Sequence, residues 1–444
     1  MIEEINMVDK ESYIANFQKI PYYPISFKYG KGALLYDYNG KEYIDFLASA
    51  SSANIGHGNQ EIADAVYNQM KKITQYASVY FPMPEEEVLA EKLISLLGEK
   101  NMQVAYSNSG SEAIDCAMKL AKAYTKRNKI ISFKEAYHGA TYGALSISAI
   151  SLNMRKNIGG LIPEIYHISY PNCFRCKYAE VEKCKSFYCL EELTDSFEQY
   201  IPANEVAAIF LEPIAGDMGI VVPQQKYLQK LRELCNKYGI LLVVDEIQQG
   251  MCRTGKWFSF QNFDINPDII VLGKSVGAGL PLGVTIAKRE IMESLSAPAH
   301  VFTMSGNSTV CSAAIKQLVI FESEKINEQV VEKGKYLKRK LKELMDKYEM
   351  IGEIRGIGLS IGIDIVNNRV EKSKNHIAAA KIAYNCIENV LLLTFIGKST
   401  LRVQPPLVIT KEQIDKAIKI MDKAFENYIN NKIDDNVLLY VKGW

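Results

Sequence analysis

The sequence has almost no excess of one charge. Its 444 residues include 52 Lys and Arg against 51 Asp and Glu, which gives a formal net charge of +1. A protein dedicated to nucleic acid needs a basic surface to neutralise phosphates. The balanced charge therefore argues against a nucleic-acid partner.

Long apolar runs and an export signal are also missing. No uncharged apolar run approaches the ~18 residues that a membrane-spanning helix needs. The first residues, MIEEINMVDKES, are acidic and lack the basic-then-apolar pattern of a signal peptide. The nine cysteines are odd in number and scattered, which favours reduced thiols. We expect a cytoplasmic protein with no membrane partner.

Internal repeats, low-complexity tracts and Pro/Ser-rich linkers are absent as well. With 48% hydrophobic and 23% charged residues, the composition is globular, which excludes disordered and collagen-like classes. At about 150 residues per domain, the length allows two or three domains.

Strands and helices alternate in the middle of the chain. Near-continuous apolar segments occur at 206–214, 239–247 and 268–276, and helical patterns occur at 111–126 and 225–237. Strands that are apolar on both faces are typical of a parallel sheet covered by helices. The sequence therefore predicts an α/β fold with a mostly parallel sheet.

The two ends of the chain predict a smaller α+β domain. ALLYDYNGKEYIDF alternates apolar and polar residues around Asn39-Gly40, which predicts a hairpin with a two-residue turn. Long helical patterns run from 312 to 348, and later segments predict strands and a final helix. We predict a large domain over 59–315 and a small domain built from 1–58 and 316–444.

Ligands of open α/β sheets bind where the strands end. The first such position carries Asn108-Ser109-Gly110-Ser111-Glu112, in which Ser109 and Glu112 have capping-box spacing. The exposed N–H groups of this helix start and the small Gly110 would also suit an anion. A plain helix cap and an anion cradle both remain open on this motif alone.

Two charges of opposite sign follow other apolar strands. A carboxylate at Asp245 is costly to bury unless it faces a cation or a protonated ring nitrogen. In apolar surroundings Lys274 would have a lowered pKa and could form a Schiff base. Tyr137, two residues before Gly139 in AYHG, could stack on a planar ring or belong to the core. Structural ion pairs would explain the charges separately, but together the residues fit pyridoxal phosphate.

The sequence supports other cofactors less well. Residues 250–257, GMCRTGKW, nearly match a phosphate-binding P-loop, but Trp257 replaces the Ser or Thr that would bind Mg²⁺, and no GxGxxG opens a helix. A cofactor-free binding module on the same fold is a further alternative, against which Lys274 and Asp245 argue.

Four cysteines raise the question of a metal. Their spacing is C-x2-C-x7-C-x4-C, which is compatible with zinc or an iron–sulfur cluster. We prefer reduced, unligated thiols and expect no metal. The four residues are Cys173, Cys176, Cys184 and Cys189.

Over nearly its whole length the sequence resembles the class III aminotransferases, which are fold type I pyridoxal-phosphate enzymes. The order and spacing of the matching segments argue against chance agreement. These segments are YDYNGKEYIDFLASASSANIGHG, NSGSEA, YHGAT, LEPIAGDMGI, VVDEIQQGMCRTGK, VLGKSVGAGLPLG, FTMSGNS and LRVQPPLVIT.

The resemblance implies a role for each matching site residue, a small-molecule amino acid as substrate, and a homodimer or dimer of dimers with shared active sites. It implies that the cofactor's phosphate is bound by Ser109, Gly110 and Ser111 and by Thr303 of the neighbouring subunit. It implies that Tyr137 stacks on the ring, Asp245 pairs with the pyridine nitrogen, Gln248 lies near the ring hydroxyl and Glu212 also binds the cofactor. It implies, finally, that Lys274 forms the Schiff base and that Arg402 binds the substrate α-carboxylate.

Two departures from the family pattern bear on the substrate. The 4-aminobutyrate and ornithine aminotransferases have an arginine where this chain has Ala140, so the site lacks that anchor for a second carboxylate. Those enzymes also have a glutamate where this chain has Asp217. Both departures favour a neutral α-amino acid.

Several segments, among them LASASSANIGHG, SLNMRK and QPPLVI, resemble the isoleucine 2-epimerase branch of the family, the amino-acid racemases. We therefore expect a racemase or epimerase acting on a branched or apolar amino acid, with Lys274 and Asp217 as the two acid/bases. Alternatively, Asp217 only pairs with Arg402 or caps a turn. The alternative reaction is transfer of an amino group from an amino acid or ω-amine to a 2-oxo acid.

Overall fold

The computed structural model describes residues 13–20, 23–176 and 187–441. The strands in these ranges are β1 (Phe27–Lys31), β2 (Leu34–Asp37), β3 (Glu42–Asp45), β4 (Met102–Ser107), β5 (Lys129–Phe133), β6 (Ile165–Ile168), β7 (Val206–Leu211), β8 (Leu241–Asp245), β9 (Ile269–Leu272), β10 (Gly283–Lys288), β11 (Ile351–Ile357), β12 (Ser360–Ile365), β13 (Leu391–Leu392), β14 (Thr394–Ile396) and β15 (Thr400–Val403).

The helices of the same ranges are α1 (Ala48–Ser51), α2 (Gln60–Met70), α3 (Pro84–Ser95), α4 (Gly110–Thr125), α5 (Tyr142–Ser146), α6 (Tyr188–Gln199), α7 (Gln225–Tyr238), α8 (Arg289–Met292), α9 (Ser308–Ser323), α10 (Ile326–Lys347), α11 (His376–Glu388) and α12 (Lys411–Ile429). Of these, α1 is a single turn whose four residues all have positive φ. No helix in the described ranges is both long and apolar enough to cross a bilayer.

A seven-stranded sheet forms the centre of the molecule, in the order β4-β10-β9-β8-β7-β5-β6. Only β10 runs against the other strands of this sheet, since both of its pairings are antiparallel and the pairings from β9 to β6 are parallel. This arrangement confirms the predicted α/β fold with a mostly parallel sheet. All six residues of β7 are buried, because helices cover both faces of the sheet.

The two faces of the central sheet pack against separate apolar layers. On β5, Ile130 faces the layer that α4 completes, whereas Ile131 faces the opposite layer. On β9, Ile269 and Ile270 divide in the same way. This alternation of buried side chains is the two-residue period of a strand covered on both sides.

Two smaller sheets, β1-β2-β3-β13 and β11-β12-β15-β14, lie outside the central one. The pairing of β3 with β13 joins the N-terminal hairpin to the C-terminal part of the chain. The predicted hairpin is present, but the prediction of a two-residue turn was wrong. Asp37 N–H donates to the Lys41 carbonyl, and the Asp37 carboxylate accepts from Asn39 N–H, so the turn contains three residues.

Other predicted elements appear with small shifts at their ends. The helix predicted over 111–126 is α4, and the helix predicted over 225–237 is α7, which ends at Gly239 with φ of 63°. The helical stretch from 312 to 348 consists of two helices. They separate at Lys325, whose φ of 52° cannot continue a right-handed helix.

Candidate active site

The ends of the parallel strands open into a cavity of about 530 Å³. Because β4, β7, β8 and β9 point the same way, the residues that follow them meet at one edge of the sheet. This is where most of the predicted site residues converge. The cavity is lined by Gly110, Ser111, Tyr137, His138, Gly139, Glu212, Asp245, Ile247, Gln248 and Lys274.

The start of α4 forms an anion cradle at this edge. Ser109 caps the helix by accepting Glu112 N–H at 3.2 Å. The second half of the predicted capping box was wrong, because the Glu112 carboxylate accepts Asn108 N–H, at 2.7 Å, rather than that of Ser109. A Cβ on Gly110 would lie 2.7 Å from Ile247 Cδ1, so a larger residue would require the Ile247 side chain to move. The free N–H groups and dipole of a 16-residue helix thus point at the cavity.

Glu212 ties two walls of the cavity together. Its carboxylate accepts Tyr137 N–H at 3.4 Å and Gly216 N–H at 2.8 Å. Burial raises the pKa of Glu212 to about 7. Glu212 therefore links the backbone of Tyr137 to the loop that carries Asp217.

Asp245 pairs with a histidine that the sequence reasoning missed. His138 Nδ1 lies 2.7 Å from Asp245 Oδ2, and Ile247 N–H donates to the other carboxylate oxygen at 2.9 Å. Burial alone would lower the pKa of His138, but the hydrogen bond and charge of Asp245 outweigh burial and raise it. Two features of the sequence pointed to His138. A buried carboxylate at Asp245 demands a partner, and the AYHG motif contains a histidine that could serve as one.

Lys274 follows β9 and begins a 3₁₀ turn. Its φ of 48° lies in the left-handed region, a strained conformation for a residue with a side chain and one that clusters at functional sites. Gln317 supports the turn by donating to the Ser275 carbonyl at 2.6 Å. Burial lowers the pKa of Lys274, and the charge of Asp217 opposes that shift without cancelling it. The lowered pKa expected from the apolar strand is confirmed.

Asp217 and Arg402 form a buried ion pair beside Lys274. Arg402 Nη1 donates to Asp217 Oδ1 at 3.0 Å, and the two residues are 7% and 5% exposed. Both charges act on Lys274. Asp217 lies in a tight hairpin closed by paired hydrogen bonds between Ala215 and Val221. The structure therefore contains the pairing that the sequence analysis gave as the alternative role of Asp217.

Gln248 lies on the cavity wall with its amide oxygen facing the protein. That oxygen accepts from Gln249 Nε2 at 3.1 Å and from Gln404 Nε2 at 3.4 Å. It also packs against Gly216, where a Cβ would lie 2.3 Å away.

Thr303 is the one predicted cofactor residue placed apart from this group. It is exposed, and its carbonyl accepts from Gln75 Nε2 at 3.1 Å. The walls of the cavity in this chain do not include it.

Residues 250–257 do not form a P-loop. The segment folds into turns, in which Cys252 N–H donates to the Trp257 carbonyl at 3.3 Å. Arg253 is fully buried and donates to the Leu359 carbonyl and to Asn54 Oδ1. Because Lys256 is exposed and no phosphate cradle forms, this segment ties distant parts of the chain together.

The cysteine question falls partly outside the described residues, because Cys184 lies in 177–186. Within the described ranges, no group of three His, Cys, Asp or Glu side chains is placed to hold a metal ion.

The cavity residues fit pyridoxal phosphate. The α4 cradle suits its phosphate, and Tyr137 lines the wall where a planar ring would lie. Lys274 has the lowered pKa that a Schiff-base amine needs, and Asp245 supplies a carboxylate for a protonated ring nitrogen.

Comparison with known proteins agrees with this site. The family model described as "Aminotransferase class-III" matches residues 16–425. The isoleucine 2-epimerase of Lentilactobacillus buchneri is 38% identical over 96% of both chains, and the leucine/methionine racemase of Thermococcus litoralis is 36% identical over 96% of both. An amine transaminase from an uncultivated Pseudomonas species, solved in its PLP-bound form, superposes with a TM-score of 0.87 at 26% identity, covering 94% of this chain and 98% of its own. The expected fold type I architecture is thus confirmed.

Proposed function

The chain belongs to the class III aminotransferase family and uses pyridoxal phosphate, and from this premise we propose that it inverts Cα of a neutral amino acid. Lys274 and Asp217 are the proposed acid/bases, one on each face of Cα. The substrate would be branched or apolar, and the enzyme a racemase or epimerase.

The observation that carries the proposal is the buried Asp217–Arg402 pair beside Lys274. The guanidinium of Arg402 matches a substrate α-carboxylate as well as it matches Asp217. A bound substrate would therefore take over Arg402, and its carboxylate would replace that of Asp217 in the ion pair. Asp217, still largely buried, would then be free to give or take a proton at Cα.

The remaining residues have supporting roles in this proposal. When bound, pyridoxal phosphate supplies a conjugated ring that accepts the electron pair left at Cα. Asp245, held by His138, would keep the ring nitrogen protonated, and Gln248 would donate to the ring hydroxyl. The phosphate would be held by Ser109, Gly110 and Ser111, and the ring would be stacked by Tyr137, which Glu212 holds in place.

A neutral substrate is supported by the absence of a charged side chain at position 140 and by the amino acids named for two relatives. Ala140 brings no charge, and its N–H donates to Ser111 Oγ at 3.2 Å. The two racemases named above act on isoleucine, leucine or methionine, all with uncharged side chains.

Transamination is the second candidate. The cofactor residues would serve both reactions, and the amine transaminase neighbour has the same fold. The difference lies in where the proton is returned: to the opposite face of Cα in inversion, or to the cofactor's C4′ in transamination.

We further propose a cytoplasmic homodimer, or dimer of dimers, in which Thr303 reaches the phosphate of the neighbouring subunit. Its exposure and its separation from this chain's own cavity are consistent with that role.

The reaction is tested with the cofactor-loaded protein in D₂O, supplied with single L-amino acids, isoleucine first, and no keto acid. We expect sustained formation of the D-configured epimer with deuterium at Cα, read by chiral chromatography and mass. A single stoichiometric bleaching of the yellow colour, with turnover only after keto acid is added, would make the protein an aminotransferase.

In the same assay, Asp217→Asn should slow inversion roughly 100-fold or more, because an amide cannot exchange the proton. The yellow colour should remain, since Asp217 is outside the cofactor cradle. Asp346→Asn, at an exposed carboxylate, is the matched control. Full inversion by Asp217→Asn would contradict the two-base assignment.

A further inference from the structure

Three glutamine side chains form a buried amide cluster behind the cofactor cavity. Gln248, Gln249 and Gln404 are 6%, 1% and 0% exposed. Gln404 Nε2 donates to Gln248 Oε1 at 3.4 Å and to Ser360 Oγ at 2.9 Å. Gln404 therefore links the strand end that follows Arg402 to the cavity wall.

The cluster determines which end of the Gln248 amide faces the cavity. Both hydrogen bonds that the described residues make to its amide fall on Oε1, and the backbone of Gly216 packs against the same oxygen. An amide has its acceptor and its two donors at opposite corners. With the oxygen held, Gln248 presents its NH₂ group to whatever occupies the cavity.

Gln404 itself is a costly residue at its position. Its own Oε1 has no hydrogen-bond partner among the described residues, although it is fully buried. An unsatisfied buried amide oxygen destabilises the fold, and an apolar side chain would avoid that penalty. What the glutamine adds is its pair of donations, to Gln248 in the cavity wall and to Ser360.

We infer that Gln404 is a positioning residue that fixes the orientation of the Gln248 amide, so that Gln248 donates to the ring oxygen of the cofactor. A donor at that oxygen favours its ionised form. Gln404 thereby sets the pH at which the visible chromophore of the loaded enzyme titrates. This inference rests on the cofactor and on the place proposed for Gln248, not on the direction of the reaction.

The test is a pH titration of the visible absorption band in cofactor-loaded variants. Gln404→Met keeps the length of the side chain and removes one of the two donors to Gln248 Oε1, so that only Gln249 Nε2, at 3.1 Å, still holds that oxygen. We expect the midpoint to rise by about one pH unit, the effect of one hydrogen bond to a charged group. Gln69→Met, at a buried glutamine of α2 that donates to the Ile73 carbonyl, should leave the midpoint unchanged.

A double-mutant cycle separates action through Gln248 from a general loosening of the site. Gln248→Met should raise the midpoint at least as much as Gln404→Met. Adding Gln404→Met to Gln248→Met should shift it no further. An unchanged midpoint in Gln404→Met, or additive shifts in the double variant, would overturn the inference.

If Gln404→Met does not fold, Ser360→Ala decides the question, because it removes the acceptor that holds the Gln404 amide. A smaller upward shift supports the inference, and no shift overturns it. These titrations need no substrate. If the midpoint shifts as expected but no racemisation is found, the proposed reaction is wrong and the inference about Gln404 stands.

Discussion

At the scale of single residues, the buried His138 and the partly buried His167 have opposite titration behaviour because their neighbours differ. His138 faces Asp245, and its pKa is raised. His167, on β6, has its pKa lowered to about 4 by burial and by the charge of Arg155. His167 is therefore neutral in the folded protein well into the acid range.

This difference predicts part of the acid sensitivity of the protein. In the unfolded chain His167 would titrate near its ordinary pKa of about 6.5. Its contribution to stability is complete above about pH 6.5 and is lost as the pH falls toward about 4, because the unfolded state then binds the extra proton.

His167→Gln should thus reduce the fall in Tm between pH 7 and pH 4.5, measured by thermal unfolding of the loaded enzyme. His376→Gln, at an exposed histidine, is the control. An identical fall in His167→Gln and the unmutated protein would contradict this account.

The residues that could be predicted from sequence were those whose burial is costly. Asp245 and Lys274 stand at the ends of apolar strands, so their chemistry follows from local sequence. His138 and Gln404 matter through partners 107 and 156 residues away, and no local pattern records those contacts.

At the scale of elements, the hairpin that carries Asp217 is clamped by the small sheet of β11, β12, β15 and β14. Arg355, on β11, donates from Nε to the Gly219 carbonyl at 2.9 Å and from Nη2 to Thr400 Oγ1 at 3.0 Å. A Cβ on Gly397 would lie 2.2 Å from the Met218 carbonyl oxygen. The hairpin is thus packed against the sheet that carries Arg402.

Asp364 holds Arg355 in this position. It is fully buried and accepts from Arg355 and, in a two-pronged contact, from Arg175. Although burial favours its neutral form, the hydrogen bonds and charges of the two arginines hold the pKa of Asp364 below its ordinary value.

Arg355→Met should therefore lower the free energy of unfolding by about 3 kcal/mol, because it breaks a buried ion pair. It should also slow inversion, since the hairpin of Asp217 loses its clamp. Chemical denaturation and the D₂O assay measure the two effects, with Arg339→Met at an exposed position of α10 as control. Unchanged stability would show that Arg355 does not clamp the hairpin.

The strands and helices themselves were largely predictable, but their assembly was not. Apolar periodicity predicted the location of α4, α7 and the central strands within a few residues. The contact between Arg355 and Gly219 spans 136 residues, and the three-residue turn after Asp37 depends on a side-chain hydrogen bond. Such features arise from tertiary contacts rather than from local propensity.

At the scale of the whole molecule, the two loops that meet at Thr303 expose apolar side chains. Gln75 bonds to the Thr303 carbonyl, which holds the loop before α3 next to the loop before α9. Exposed apolar patches of this kind mark protein interfaces. The patch consists of Tyr76, Val79, Tyr80, Phe81, Val301 and Met304.

We expect this patch to be the dimer interface. Phe81→Glu combined with Met304→Glu should dissociate the dimer, because two charges would be buried without partners. Cofactor affinity should fall at the same time, since the proposed contact of Thr303 with the second subunit's phosphate would be lost. Sedimentation and cofactor release measure both effects.

Val370→Glu, at a 91% exposed apolar residue outside the patch, is the control. A double variant that remains dimeric with unchanged cofactor affinity would place the interface elsewhere.

The strand order of the central sheet also dictates when the pocket can assemble during synthesis. β4 is the first strand of that sheet to leave the ribosome, yet within the described chain its only partner is β10, the last. The phosphate cradle that follows β4 therefore has no strand anchor until residue 288 has emerged. Arg402, which we propose to bind the substrate carboxylate, emerges later still, so the strand order lets the cofactor cradle form before that residue has been made.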